Sequence, residues 1–97
     1  MVERFCFVRL REEHVKDRGA VAAHLRGTLR AQPGVIAVSA GVPADDSAAS
    51  WDVSLVVRCT DLAAWRAVAA APGVRALFDD WLPKRAVVVK AWTFDVE

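Results

Sequence analysis

Apolar positions along this chain repeat with two different periods, and the switches between them divide it into strands and helices. Arg4 to Leu10 (RFCFVRL) is rich in aromatic and β-branched residues, which predicts a strand. From His14 to Gln32 the spacing lengthens. Val21, Leu25 and Leu29 lie four residues apart, with Ala22 and Thr28 beside them and Arg18, Arg26 and Arg30 on the opposite side, which predicts a helix. Gly19 and Gly27 each weaken that helix by about 1 kcal/mol relative to Ala, and Pro33-Gly34 ends it. Val35 to Val42 reads as a second strand, Pro43 to Ser50 as a polar loop, and Trp51 to Cys59 as a third strand. Alternation in the third strand assigns Trp51, Val53, Leu55 and Val57 to one face, and Asp52, Ser54, Val56 and Arg58 to the other. The loop between strands two and three predicts an antiparallel hairpin. Thr60-Asp61 is a helix N-cap signal, and Leu62 to Ala71 follows as a helix with Leu62, Trp65 and Val68 inward. Pro72-Gly73 breaks it. Val74 to Leu82 forms a second helical segment with Leu77, Phe78 and Trp81 inward, and Arg85 to Val96 is the last strand.

The order β-α-β-β-α-β is the split βαβ arrangement, an α+β ferredoxin-like fold with four antiparallel strands and helices on one face. Residues 1–97 are expected to form a single domain, since a chain this short supports one core. The other sheet face is informative. Strand one carries Phe5 and Phe7 on one side and Cys6, Val8 and Leu10 on the other. The last strand carries Val87, Val89 and Ala91 against Val88, Trp92 and Phe94. Both faces are therefore apolar, although the helices cover only one, and a water-facing antiparallel sheet alternates apolar with polar residues. A content of 55% hydrophobic residues in 97 exceeds what one small core holds. A homodimer packed sheet on sheet through Phe5 and Phe7 resolves the excess.

Charge and motifs narrow the functional classes. Thirteen basic residues face twelve acidic ones without a basic stripe, so nucleic acid is not an expected partner. No apolar run approaches the length of a membrane span, and no signal peptide is visible, so neither a membrane nor secretion is expected. Cys6 and Cys59 sit in apolar strand-like runs, the pattern of buried free thiols in a reducing cytoplasm; a disulfide requires that their strands be neighbours at the right separation. With two histidines and no CxxC, HExxH, P-loop or GxGxxG, no metal or other cofactor is expected.

The chain resembles the stress-responsive dimeric A/B barrel (Dabb) domain family. The likeness rests on RFCFVRLRE, LRAQPGVIAVSAGV, WDVSLVV, CTDLAAW and APGVRALFDDWLP, in that order and spacing over nearly the whole length. The resemblance implies a ferredoxin-like protomer, a sheet-to-sheet dimer and a pocket between the helices and the sheet. It also implies a distant relation to cofactor-free polyketide cyclases of the olivetolic acid cyclase type. Those cyclases use a histidine in H-P-x-H at the helix break and an acid on the last strand. Here the break reads Ala71-Pro72-Gly73-Val74, and Val87 to Trp92 contains no acid, so the pair for general acid/base work is missing.

The remaining candidates are weighed against plainer roles. Arg4, on the pocket side of strand one, is a candidate to bind a carboxylate or enolate oxygen; otherwise it is a solvated strand-end arginine. Cys6 shares that face, either as a pocket residue or as core filler. His24, at the edge of the helical stripe, is the remaining proton-transfer candidate, and otherwise a boundary histidine. Trp65 and Trp81 come from the segments that would roof the pocket and are suited to stack on a flat ligand. Val68, Val74 and Leu77 are the expected apolar lining beside them, and Arg75 follows the helix break, where an anion could be held. The reading is a cytoplasmic, homodimeric, small-molecule-binding protein, in its enzymatic form a cofactor-free cyclase acting on a polyketide-like or aromatic compound of bacterial secondary metabolism. The alternative is a non-enzymatic stress-response or structural dimer whose pocket is filled by its own side chains.

Overall fold

The computed structural model describes residues 1–97. Strand β1 (Val2–Leu10) is followed by a short helix α1 (Glu12–Val15) and a longer α2 (Arg18–Arg30). Strands β2 (Val35–Gly41) and β3 (Val53–Cys59) follow, separated by a 3-10 turn at Asp46–Ala48. Helices α3 (Leu62–Ala70) and α4 (Pro72–Ala76) run into a π-helical turn, Leu77–Trp81, before β4 (Ala86–Asp95). The four strands form one sheet in the order β2-β3-β1-β4, with every neighbouring pair antiparallel. The helices lie on one face, which is the ferredoxin-like arrangement. No helix is long and apolar enough to cross a membrane.

The helical stretch expected from His14 to Gln32 is broken at Lys16-Asp17, which form a turn. Val15 packs against the core and Val21 is buried within it. Six residues at ~100° each would set these two side chains about 120° apart on a continuous helix, so both reach the core only if the helix is interrupted. Val21, Ala22, Leu25 and Leu29 form the buried stripe of α2 as their spacing implies. At its end Gly34 adopts φ 89°, a backbone conformation that favours glycine, and turns the chain into β2. The Asp61 carboxylate accepts the Ala64 N–H at 2.8 Å and starts α3. Pro72 separates α3 from α4 by standing in the first turn of α4, where its missing N–H is no loss.

Two expectations for this layer fail. Leu62 is 40% exposed, because it occupies the first turn of α3 before the helix dips onto the sheet. Trp51 does not continue the inward alternation of β3, which begins only at Val53. Its ring instead meets Phe7 on the far face, centroids 5.9 Å apart. The bend before β3 is held by Asp52. Its N–H donates to Val8 O and its carboxylate accepts the Leu10 N–H, both at 2.8 Å, while Arg18 stands 3.8 Å away. That carboxylate sits where β1 slips register against β4 between Arg9 and Leu10. It satisfies the Leu10 donor that lies beyond the last pair of β1 with β3, Val8 with Val53.

The core lies between the sheet and the helices, and all 18 buried side chains there are hydrophobic. No carboxylate or imidazole is sealed inside it, so polar chemistry is confined to the edge of the layer. Cys6 and Cys59 are both free and buried. Their strands are neighbours, but Cys59 pairs with Val2, four residues along β1 from Cys6. That offset is about 13 Å, too far for a disulfide.

The opposite face of the sheet has no helix over it. Registers place Phe5 beside Trp92 and Val56, Phe7 beside Lys90 and Ser54, and Glu3 beside Phe94. Phe5 meets Phe94 edge to face at 5.7 Å, and Phe7 meets Trp92 at 6.1 Å. Trp92 and Phe94 are 46% and 54% exposed. Around this aromatic block lie Arg9, Lys90 and an ion pair between Arg58 and Glu3 at 3.4 Å.

Candidate functional site

A cavity of about 620 Å³ lies between the sheet and the α3–α4 segment. The sheet supplies its floor through Cys6, Leu55, Val57, Val89 and Ala91. Trp65 and Ala69 from α3, Val74 from α4, and Phe78 and Leu82 beyond it form the roof. Val89 faces this side of the edge strand and is still 42% exposed, so the cavity reaches the β4 border of the sheet. The volume is within the ~300–1,000 Å³ range of small-molecule sites.

Only Arg4, Arg75 and Asp79 bring charge to the lining. Arg75 and Asp79 sit one turn apart at the exposed rim and pair at 3.6 Å. Arg4 projects from β1 over the floor. A terminal guanidinium nitrogen (Nη1) donates to Thr93 Oγ1 at 3.0 Å, and Cζ stands 5.5 Å from the centre of the Trp65 ring. Register explains the hydrogen bond, since Arg4 and Thr93 are direct cross-strand partners. No carboxylate lies within ion-pair distance of Arg4.

Cys6 occupies the floor next to this cation. Burial pushes its thiol up to about 11, against the pull of the Arg4 guanidinium toward the thiolate. At pH 7.5 such a thiol is ionised to roughly three parts in ten thousand, so it offers a surface and no nucleophile. Cys59 is shifted upward as well, by burial first and then by Asp61. Native protein at pH 7.5 is therefore expected to take up iodoacetamide at Cys6 at least about a hundredfold more slowly than urea-unfolded protein, read by mass spectrometry. Equal rates would show an accessible, activated thiol. The same shift has a sign for stability. The native thiol holds its proton more tightly than the unfolded one, so its contribution is complete below about pH 9 and is lost as pH rises through 11.

Of the residues singled out in the sequence, Arg4, Cys6, Trp65, Val74 and Arg75 meet at this cavity. Val68 and Leu77 are fully buried in the core behind the roof and do not line it. Trp81 is also outside. It is half-buried against the core, and its ring stacks on His24 at 4.2 Å and carries the Arg85 guanidinium at 4.0 Å. His24 is thereby an exposed member of that stack and touches neither Arg4 nor the cavity. Phe78, rather than Trp81, is the aromatic neighbour of Trp65 in the roof lining. Ala69, Leu82, Val89 and Thr93 were not singled out. Only Thr93 had a usable signal, through its register opposite Arg4.

No family model matches the chain, and no curated protein matches it. Solved structures do. A Dabb family protein with a ferredoxin-like fold from Mesorhizobium loti superposes with a TM-score of 0.81 at 12% identity, covering 99% of this chain and 96% of that one. A dimeric ferredoxin-like protein of unknown function from Thermobifida fusca gives 0.80 at 19% identity, over 98% and 90%. An antibiotic biosynthesis monooxygenase gives 0.77 at 14% identity, over 100% and 99%. At these identities the likeness shows a shared ferredoxin-like fold, over nearly the full length of each chain.

Proposed function

We propose that this chain is a small-molecule-binding protein of the Dabb type that works as a homodimer. The observation that carries the reading is the cavity of about 620 Å³, apolar on floor and roof, with Arg4 standing unpaired inside it. A structural dimer with a filled interior would have no use for that opening, and a half-buried guanidinium with no carboxylate partner leaves donors free for a ligand. Likeness in fold to a Dabb protein and to an antibiotic biosynthesis monooxygenase supports a site of this general kind. In its enzymatic form the reading is a cofactor-free, cyclase-like step of bacterial secondary metabolism on a polyketide-like or aromatic substrate. The apolar walls would fold the substrate into a reactive geometry, while Arg4 steadies oxygen charge. With His24 stacked on Trp81, proton transfer is left to the substrate and water.

The dimer reading rests on the aromatic block over the helix-free face, framed by charges as an interface core is framed by its rim. The description of a similar structure as dimeric supports it. The binding claim is tested by protein-observed NMR of the aromatic side chains, titrated with a set of bicyclic aromatic compounds. Saturable binding, with shifts confined to Trp65 and Phe78 among the aromatic side chains, is the expected result. Absence of saturable binding across the set, or shifts centred on Trp81, would overturn it.

A further inference from the structure

We infer that the cavity selects an organic monoanion, an apolar body carrying one carboxylate or similarly acidic oxygen, over its neutral and dianionic counterparts. This rests on the cavity being a ligand site and specifies what enters it. The argument is one of charge and of donors. Among the lining groups, Arg75 is already neutralised by Asp79 at the rim. Cys6 keeps its proton, so the floor supplies no negative charge. Arg4 is the one cation left without a counter-charge, and apart from the Arg75–Asp79 pair and the Cys6 thiol the side chains around it in the cavity are apolar.

Its geometry is fixed before a ligand arrives. Thr93 takes one guanidinium hydrogen bond, and the Trp65 ring stands over Cζ. A guanidinium has five N–H donors. One is used within the protein, which leaves a pair for a carboxylate in the two-point geometry arginine favours. Preorganisation of that sort lowers the ordering cost of binding. Apolar surroundings strengthen the ion pair relative to water. A neutral ligand would displace water from Arg4 and leave its charge unanswered, while a second carboxylate on the ligand would meet either apolar walls or, at the rim, an Arg75 already paired with the Asp79 carboxylate.

The test is isothermal titration of the wild-type protein with 2-naphthoate, 2-naphthamide and naphthalene-2,6-dicarboxylate, which share one bicyclic body. Naphthoate is expected to bind at least about tenfold more tightly than the amide and the diacid. In Arg4→Gln, whose folding is checked by circular dichroism and thermal melting, that preference over the amide should vanish. Equal affinities for acid and amide in the wild type would overturn the monoanion inference and leave the cavity reading intact. A preference that survives in Arg4→Gln would also overturn it, by assigning selectivity to another group. No saturable binding of any of the three at millimolar concentration would overturn both.

Discussion

Phe7→Asp is expected to convert a dimer into a folded monomer. Phe7 is at the centre of the aromatic block, touching Trp51 on one side and Trp92 on the other. A two-fold interface uses the same patch twice, so one substitution places two carboxylates in the seam. Each must lose water there, and desolvating an unpaired charge costs several kcal/mol. The substitution should weaken dimerisation by more than about a thousandfold. The isolated protomer has a remedy, because residue 7 lies directly across from Lys90 on β4. In the open sheet an aspartate there faces that ammonium at the separation typical of cross-strand pairs. Sedimentation equilibrium should therefore report the 10.6 kDa chain for the variant and twice that for the wild type, with the far-UV spectrum unchanged. A wild type that sediments as a monomer, or a variant that stays dimeric, would sink the sheet-to-sheet interface.

The unequal legibility of this molecule follows from what each feature depends on. Strands and the α2 stripe follow from local periodicity, and so β1 to β4 and the buried Val21, Leu25 and Leu29 stand where their spacing implies. Alternation separated Phe5 and Phe7 from Cys6 and Val8, and Trp92 and Phe94 from Val89 and Ala91, but only the register of β4 against β1 puts the four aromatic residues together on the uncovered side. Trp51 escaped because alternation holds only inside a strand, and the bend fixed by Asp52 precedes β3. Phe78 and Trp81 both face inward as their spacing implies, but only Phe78 reaches the cavity. Helical wheels assume 3.6 residues per turn, and Leu77–Trp81 is wound as a π-helix, so spacing alone could not say which of the two would line it. His24 was a candidate only by chemistry, and nothing local could say that Trp81 and Arg85 would occupy its surroundings. The Arg4–Thr93 bond is different again, since 89 residues separate its ends and only strand register joins them.

Ala69→Phe should close the cavity while leaving the fold in place. Ala69 is the small residue in the roof, on α3 between Trp65 and the helix break, and its methyl faces the space a ligand would fill. A benzyl group there enters open volume, so the overpacking that makes such substitutions destabilising in a full core does not apply. The residual cost is the lower helix propensity of Phe, under about 1 kcal/mol, offset by new apolar contact with Phe78 and Val89. A ligand now has to displace that ring, and its affinity should fall by about a hundredfold. Ala70→Phe is the control, because Ala70 is the next residue of the same helix but is exposed and outside the lining. It should bind as the wild type does. Loss of binding in Ala69→Phe with an unchanged or raised melting temperature separates a blocked site from a damaged fold. Retention of wild-type affinity would place the ligand elsewhere on the molecule and remove the cavity from any functional account.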